Sequence, residues 1–252
     1  MYDLQKANMW KRISAFVLDV IIMTIVAVGF AFLLSLILGY DSYSVRLEES
    51  YAKYEEEFGV VFDITGEEYE KMTEAELDNF NHAMEAVGRD ADVIALTQML
   101  ISLTVLITVF GILVAMVILE FVIPLIFGNG QTIGKKIFGV GVMRIDGVKI
   151  TGPVLFIRSI LGKYTVETMI PALLIIMMFF GVVGIMGLIV IAVILISQIV
   201  MMIATRTNST IHDMISNTVT VDLMSQMIFE SQEKMIEYKK NLHAERAAEA
   251  DY

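Results

Sequence analysis

Apolar and polar positions along this chain fall into long blocks, not into the short alternations of a soluble fold. Three apolar blocks are long enough to cross a bilayer, which takes roughly 20 residues per helix: Ile13 to Leu38, Val93 to Phe127 and Met169 to Ala204. The first is interrupted only by Asp19 and a few small or polar residues, the second is uncharged until Glu120, and the third carries no charge. The third block has 36 residues and would be ~54 Å long as one straight helix, against a hydrocarbon core of ~30 Å. Gly181, Gly184 and Gly187 lie at its middle. Two short helices joined there are the economical reading; one long tilted helix is the alternative.

The polar blocks between them have their own periodicity. Leu47, Tyr51, Tyr54 and Phe58, then Leu77, Phe80, Met84 and Val87, recur at spacings of three and four and predict two amphipathic helices. Thr65 with Glu68, and Thr73 with Glu76, have capping-box spacing. Val140 to Lys149 alternates and contains Asp146-Gly147, which predicts a β-hairpin. Met224, Ile228, Met235, Tyr238 and Leu242 recur at near-heptad spacing, interrupted by Ser231; a surface helix and a short self-associating helix both fit. The predicted fold is an all-α membrane protein: a bundle of 3–4 transmembrane helices with a helical extracytoplasmic insert and a short cytoplasmic β-hairpin loop. Its expected segments are 1–39 (N-terminus and first span), 40–92 (acidic insert), 93–127 (second span), 128–163 (basic loop), 164–205 (a helical hairpin) and 206–252 (a motif segment and C-terminal helix).

Composition narrows the class. The 252 residues are 56% hydrophobic and 19% charged, with no cysteine and a net charge of −11. So apolar a chain is not disordered, a chain without cysteine is no disulfide scaffold, and so acidic a chain is not expected to bind nucleic acid. The acidity is local. Residues 40–92 hold 16 acidic and 4 basic residues, which leaves the remainder at +1. The insert reads either as a solvated helical cap or as a vestibule that concentrates cations. Lys135, Lys136, Arg144, Lys149, Arg158 and Lys163 face Asp146 alone between Gly128 and Lys163. By the positive-inside rule that segment and the N-terminus, with Lys6, Lys11 and Arg12, are cytoplasmic, and 40–92 is outside. A cleaved signal peptide is not expected, because 26 apolar residues exceed a signal core and no small-residue cleavage site follows.

Few polar residues lie where chemistry is expected. Asp19 sits six residues into the first apolar block, where an unpaired carboxylate is costly. Arg12, seven residues earlier, lies on nearly the same helix face. The pair reads either as a structural ion pair or as an exchangeable carboxylate with its counter-ion. Glu120 lies four residues before Pro124, whose ring frees the Glu120 carbonyl; it reads as a cation or proton site, or as a plain interfacial glutamate. Gly128 to Lys136 invites a phosphate-loop reading, but Asn129 stands where the first glycine belongs and Lys136 where a Ser or Thr belongs. His212-Asp213 lacks the spaced partners of a metal site. No metal, cofactor or enzymatic activity is expected.

These residues together resemble the RDD family of membrane proteins. Arg12 and Asp19 match its arginine and first aspartate, and Asp213, in Ile211-His212-Asp213-Met214, matches its second. The run Gly130-Gln131-Thr132-Ile133-Gly134-Lys135-Lys136 and the later Arg158 resemble the family's loop after the second helix. Asn217 stands where the family commonly has a small residue or glycine. The resemblance covers 8–40 and 93–222 and leaves the insert and tail outside. It implies a multi-pass protein, usually bacterial, in the plasma membrane, with a role in transport; sodium–proton exchange has been proposed among its members. The expected function is exchange of small cations (Na+, H+) through Asp19, with Arg12, Glu120, Arg158 and Asp213 completing the path. Because three to four helices are few for a pathway, a homo-oligomer in the lipid bilayer is expected. The alternative is a non-transporting scaffold, assembly or lipid-binding module whose Arg–Asp pairs are structural.

Overall fold

The computed structural model describes residues 5–250; the outermost residues of the expected N-terminal and tail segments lie outside that range. Among the described residues, four helices are long and apolar enough to cross a membrane: α1 (Met9–Leu38), α5 (Ala91–Phe127), α7 (Gly152–Phe179) and α8 (Ile185–Ala204). The chain forms two compact units, residues 29–111 and residues 1–28 with 112–252.

In the unit of residues 29–111, α2 (Tyr40–Phe58) starts directly after Gly39 and stops at Gly59, which adopts φ 65° and returns its N–H to the Glu55 carbonyl. Two further helices follow, α3 (Gly66–Glu70) and α4 (Glu74–Arg89). Both predicted capping boxes form, Thr65 with Glu68 and Thr73 with Glu76. The predicted faces meet around Phe62, whose ring lies 5.6 Å from Tyr51 and 5.9 Å from Phe80. One position differs from the expected α4 face: Met84 is exposed, and Ala83 is fully buried in its place. Tyr54 donates to Asp90 Oδ2 at 2.7 Å, while Asp90 Oδ1 accepts the Asp92 and Val93 amides that open α5.

The capping hydrogen bonds favour the ionised forms of Glu68 and Glu76 and hold both below the ordinary glutamate pKa. A depressed carboxylate pKa contributes stability above the unfolded value and loses it as pH falls through the folded one. Thr73→Ala is therefore expected to speed amide hydrogen exchange over the first turn of α4 at pH 7. The difference from wild type is expected to shrink in acid; equal exchange at pH 7 would refute the role given to this cap.

The other unit holds most of the membrane-spanning structure. Alpha-1 is a single 30-residue helix, opened by Asn8, whose side chain accepts the Trp10 amide at 3.0 Å. Its Phe16, Ile21 and Ile25 are exposed, as lipid-facing side chains are. The expected hairpin in the third apolar block is present. Alpha-7 ends at Phe179, Gly181 turns the chain at φ 69°, and α8 starts at Ile185. Gly187 lets the two helices close, since a Cβ there would meet Met178 Sδ at 2.8 Å. Alpha-7 begins at Gly152, well before the expected 164, so Arg158 and Lys163 belong to a helix and not to a loop.

Two of these helices widen locally. Residues Val117–Val122 of α5 and Ile157–Met169 of α7 make i→i+5 hydrogen bonds. Each stretch ends two residues before a proline, Pro124 or Pro171. A wider turn eases the clash between a proline ring and the carbonyl four residues back.

The expected local hairpin at 140–149 is corrected. The turn at Asp146-Gly147 exists, closed by the Gly147 amide on the Arg144 carbonyl at 2.9 Å, but it leads to a single bridge, Met143 to Lys149. Strand β1 (Val140–Arg144) pairs instead with β2 (Thr218–Asp222), antiparallel, in register from Val140 opposite Asp222 to Arg144 opposite Thr218. A distant partner wins because Val140, Val142, Val219 and Val221 all become fully buried, which one short hairpin arm does not offer them. The N-terminal stretch adds to the far edge of β2, through Ala7 N–H to Thr220 and Asp222 N–H to Gln5. Short helices α6 (Ile133–Ile137) and α9 (Ile211–Ile215) precede the two strands, and α10 (Gln232–Ala250) follows.

Candidate functional site

The polar residues singled out by sequence gather in the unit that carries the sheet, as three adjoining groups. The first is built on Asp213, which is fully buried at the start of α9. Arg158, from α7, donates to its Oδ1 at 2.6 Å, and Arg12, from α1, reaches its Oδ2 at 3.4 Å. Thr210 adds its backbone amide and hydroxyl to Oδ2, so the same carboxylate caps α9. Burial pushes the Asp213 carboxyl up; Arg158 above all, then His212 and Arg12, outweigh it and hold it well below the usual carboxylate range. Arg12 also donates to the Asn208 carbonyl at 2.6 Å.

The second group is the anchor of Asp19. The expected Arg12–Asp19 pair does not form, because the Arg12 guanidinium is taken up by Asp213 and Asn208. Asp19 instead receives the Thr132 hydroxyl on Oδ2 and the Gly134 amide on Oδ1 at 2.7 Å. It is 8% exposed, and its field falls on the N-terminus of α6, where a carboxylate is favoured. Gly134 makes this possible. A Cβ there would overlap the Ala15 carbonyl and sit 2.9 Å from the Asp19 carboxyl carbon. Gly130 is required as well, with φ 58° and Val142 Cβ 2.9 Å from where its own Cβ would be.

The third group surrounds Glu120. Its carboxylate pairs with Lys163 of α7, and its carbonyl, freed by Pro124, accepts the Ser159 hydroxyl at 2.6 Å. Lys135 lines the same crevice, with Arg158 and His212. Burial, reinforced by Arg158 and partly offset by Glu120, lowers Lys135 to about 8.

Sequence reasoning passed over Lys163, Glu167 and His212 as site residues. His212 Nδ1 lies 2.8 Å from Glu167 Oε2, and its amide donates to Glu167 Oε1 at 2.9 Å. Burial first, then Arg158, lowers the His212 pKa against the pull of Asp213 and Glu167. Gly162 admits this contact, since a Cβ there would stand 2.7 Å from His212 Cβ. The signal was present as Arg158, Lys163 and Glu167 at spacings of five and four, which an i→i+5 helix brings to one side. Among the described residues no group of three or more His, Asp or Glu is placed to hold a metal ion.

Four long apolar helices, together with the buried ionic cluster and small sheet of the unit of residues 1–28 and 112–252, define a multi-pass helical membrane protein in contact with lipid. The chain matches the RDD family over residues 6–217 and belongs to that family. No match was found among curated proteins or solved structures.

Proposed function

We propose that this RDD protein is a non-transporting membrane module in which Arg12, Arg158, Asp19 and Asp213 are structural. The observation that carries this reading is that both aspartates are saturated by fixed donors. Asp213 is held by two guanidiniums, and Asp19 by a hydroxyl and a backbone amide. In this reading the four helices lie in a plasma membrane, the 128–151 segment and both chain ends face the cytoplasm, and residues 40–92 face outward. Support comes from the basic residues Lys11, Arg12, Lys135, Lys136 and Arg144, which collect on the side the positive-inside rule assigns to the cytoplasm. No catalytic step is part of this reading.

A second reading keeps cation–proton exchange and moves it from Asp19 to Glu120. What favours it is the geometry: the buried Glu120 carboxylate lines the crevice and is held by a single ammonium, that of Lys163, where Asp213 is held by two guanidiniums. Proteoliposomes under imposed sodium and proton gradients separate the two. Wild type is expected to leak no more than empty liposomes. Sodium-driven proton flux that disappears in a folded Glu120→Gln variant would replace the first reading with the second.

A further inference from the structure

Five polar side chains line the crevice between α5, α6 and α7: Glu120, Lys135, Arg158, Ser159 and Lys163, with His212 at its wall. Three are cations and one is an anion. Glu120 is engaged by Lys163 and its carbonyl by Ser159. Arg158 is engaged at only one of its nitrogens, by Asp213. Its Nε is buried and has no hydrogen-bond partner among the described residues, although Arg158 as a whole is only 4% exposed. Lys135 is half-buried, and its ammonium makes no hydrogen bond or ion pair among the described residues; the carboxylates of Glu120 and Asp19 act on it only through space. Leaving a buried guanidinium donor unmade is costly, and buried cations are ordinarily paired. A crevice with two unmatched cationic donors, Arg158 Nε and the Lys135 ammonium, has room in its hydrogen bonding for an acceptor-rich anion.

We propose that this crevice binds a phosphate group, with Lys135 and Arg158 as its principal donors. Phosphate fits better than a single carboxylate because it offers three or more acceptor oxygens, enough for an ammonium and a guanidinium edge together. As it stands the crevice is too narrow for a water molecule, so the flexible stems of Lys135 and Lys163 are the parts that move aside on entry. The phosphate comes either from solution or from a phosphomonoester lipid headgroup, since the lining residues belong to two spanning helices and the loop between them. The inference goes beyond the structural reading of the Arg–Asp pairs and does not depend on it, because its test reads binding and not flux or folding.

The test uses the full chain in two settings. In detergent, inorganic phosphate is titrated by calorimetry. In nanodiscs, phosphatidic acid is compared with phosphatidylcholine by native mass spectrometry. Phosphate binding in both settings identifies a general phosphate site, and binding of phosphatidic acid alone identifies a headgroup site; either supports the proposal. Lys135→Gln is expected to weaken binding about tenfold, the loss of one charge-assisted hydrogen bond. Lys135→Arg is expected to restore most of it, and Lys240→Gln, on exposed α10, to change nothing. Should Lys135→Gln not fold, amine footprinting of the wild type decides, since bound phosphate must shield Lys135 and not Lys240. No binding of either ligand, undiminished binding in Lys135→Gln, or no shielding of Lys135 would overturn the proposal.

Discussion

Asp213→Ala is expected to abolish the stable fold of the unit that carries the sheet. Removing one partner of a buried ion pair costs about 3–5 kcal/mol, and here one carboxylate serves two arginines. Asp213 is fully buried and Arg158 nearly so, so the Arg158 guanidinium has no water to turn to, and Arg12 is left with the Asn208 carbonyl alone. The same substitution strips the cap from α9 and an acceptor from Thr218. The expected readout is loss of a cooperative thermal transition in detergent, with little protein recovered from the membrane. Asp213→Asn keeps the cap but not the charge and is expected to fall between the two. A wild-type melting curve for Asp213→Ala would remove Asp213 from the centre of the fold.

Gly134→Ala is the second large effect, and it works through space alone. The new methyl group has to enter the volume of the Ala15 carbonyl and the Asp19 carboxylate. Backbone cannot yield as a flexible side chain does, so α6 must lift away from α1. Overpacking of this kind costs about 1–3 kcal/mol, occasionally more. Here it also breaks the two hydrogen bonds to Asp19 and leaves that carboxylate without its donors. Gly139→Ala is the informative comparison, because nothing lies near its Cβ position although its φ is 66°. We expect a much larger drop in melting temperature for Gly134→Ala than for Gly139→Ala. Equal drops would mean that backbone conformation, not close approach, governs this loop.

Residue types were easier to read from sequence than their partners. Asp19, Glu120 and Asp213 stand out because a carboxylate near an apolar block is rare, and the four helices follow from hydropathy with one exception. The start of α7 was hidden because Arg158, Lys163 and Glu167 dilute its apolar pattern; its mean hydropathy is 1.5, against 2.8 for the other three spans. Partner choice is a different problem. Arg12 and Asp19 share a helix face, so spacing alone joins them, yet the Arg12 partner lies 201 positions away. Val140 to Lys149 carries a good turn, so local reasoning closes it as a hairpin. The better partner, Thr218 to Asp222, is visible only once burial on both strands is considered. The Glu120 carbonyl is a case where local chemistry sufficed: the proline predicted the free acceptor, and Ser159 fills it.

The pairing of β1 with β2 has a consequence for how the protein is made. The sheet draws on residues before α1, between α5 and α7, and after α8. Val140 and Val142 therefore have no mate until all four helices have been synthesised and residues 218–222 have emerged. Asp213, the counter-charge for Arg12 and Arg158, arrives in the same late stretch. Until then the nascent chain carries two unneutralised arginines and an open strand edge, the kind of exposure that invites wrong pairing. Closing the sheet and neutralising both buried arginines are thus one late event, completed by residues 213–222.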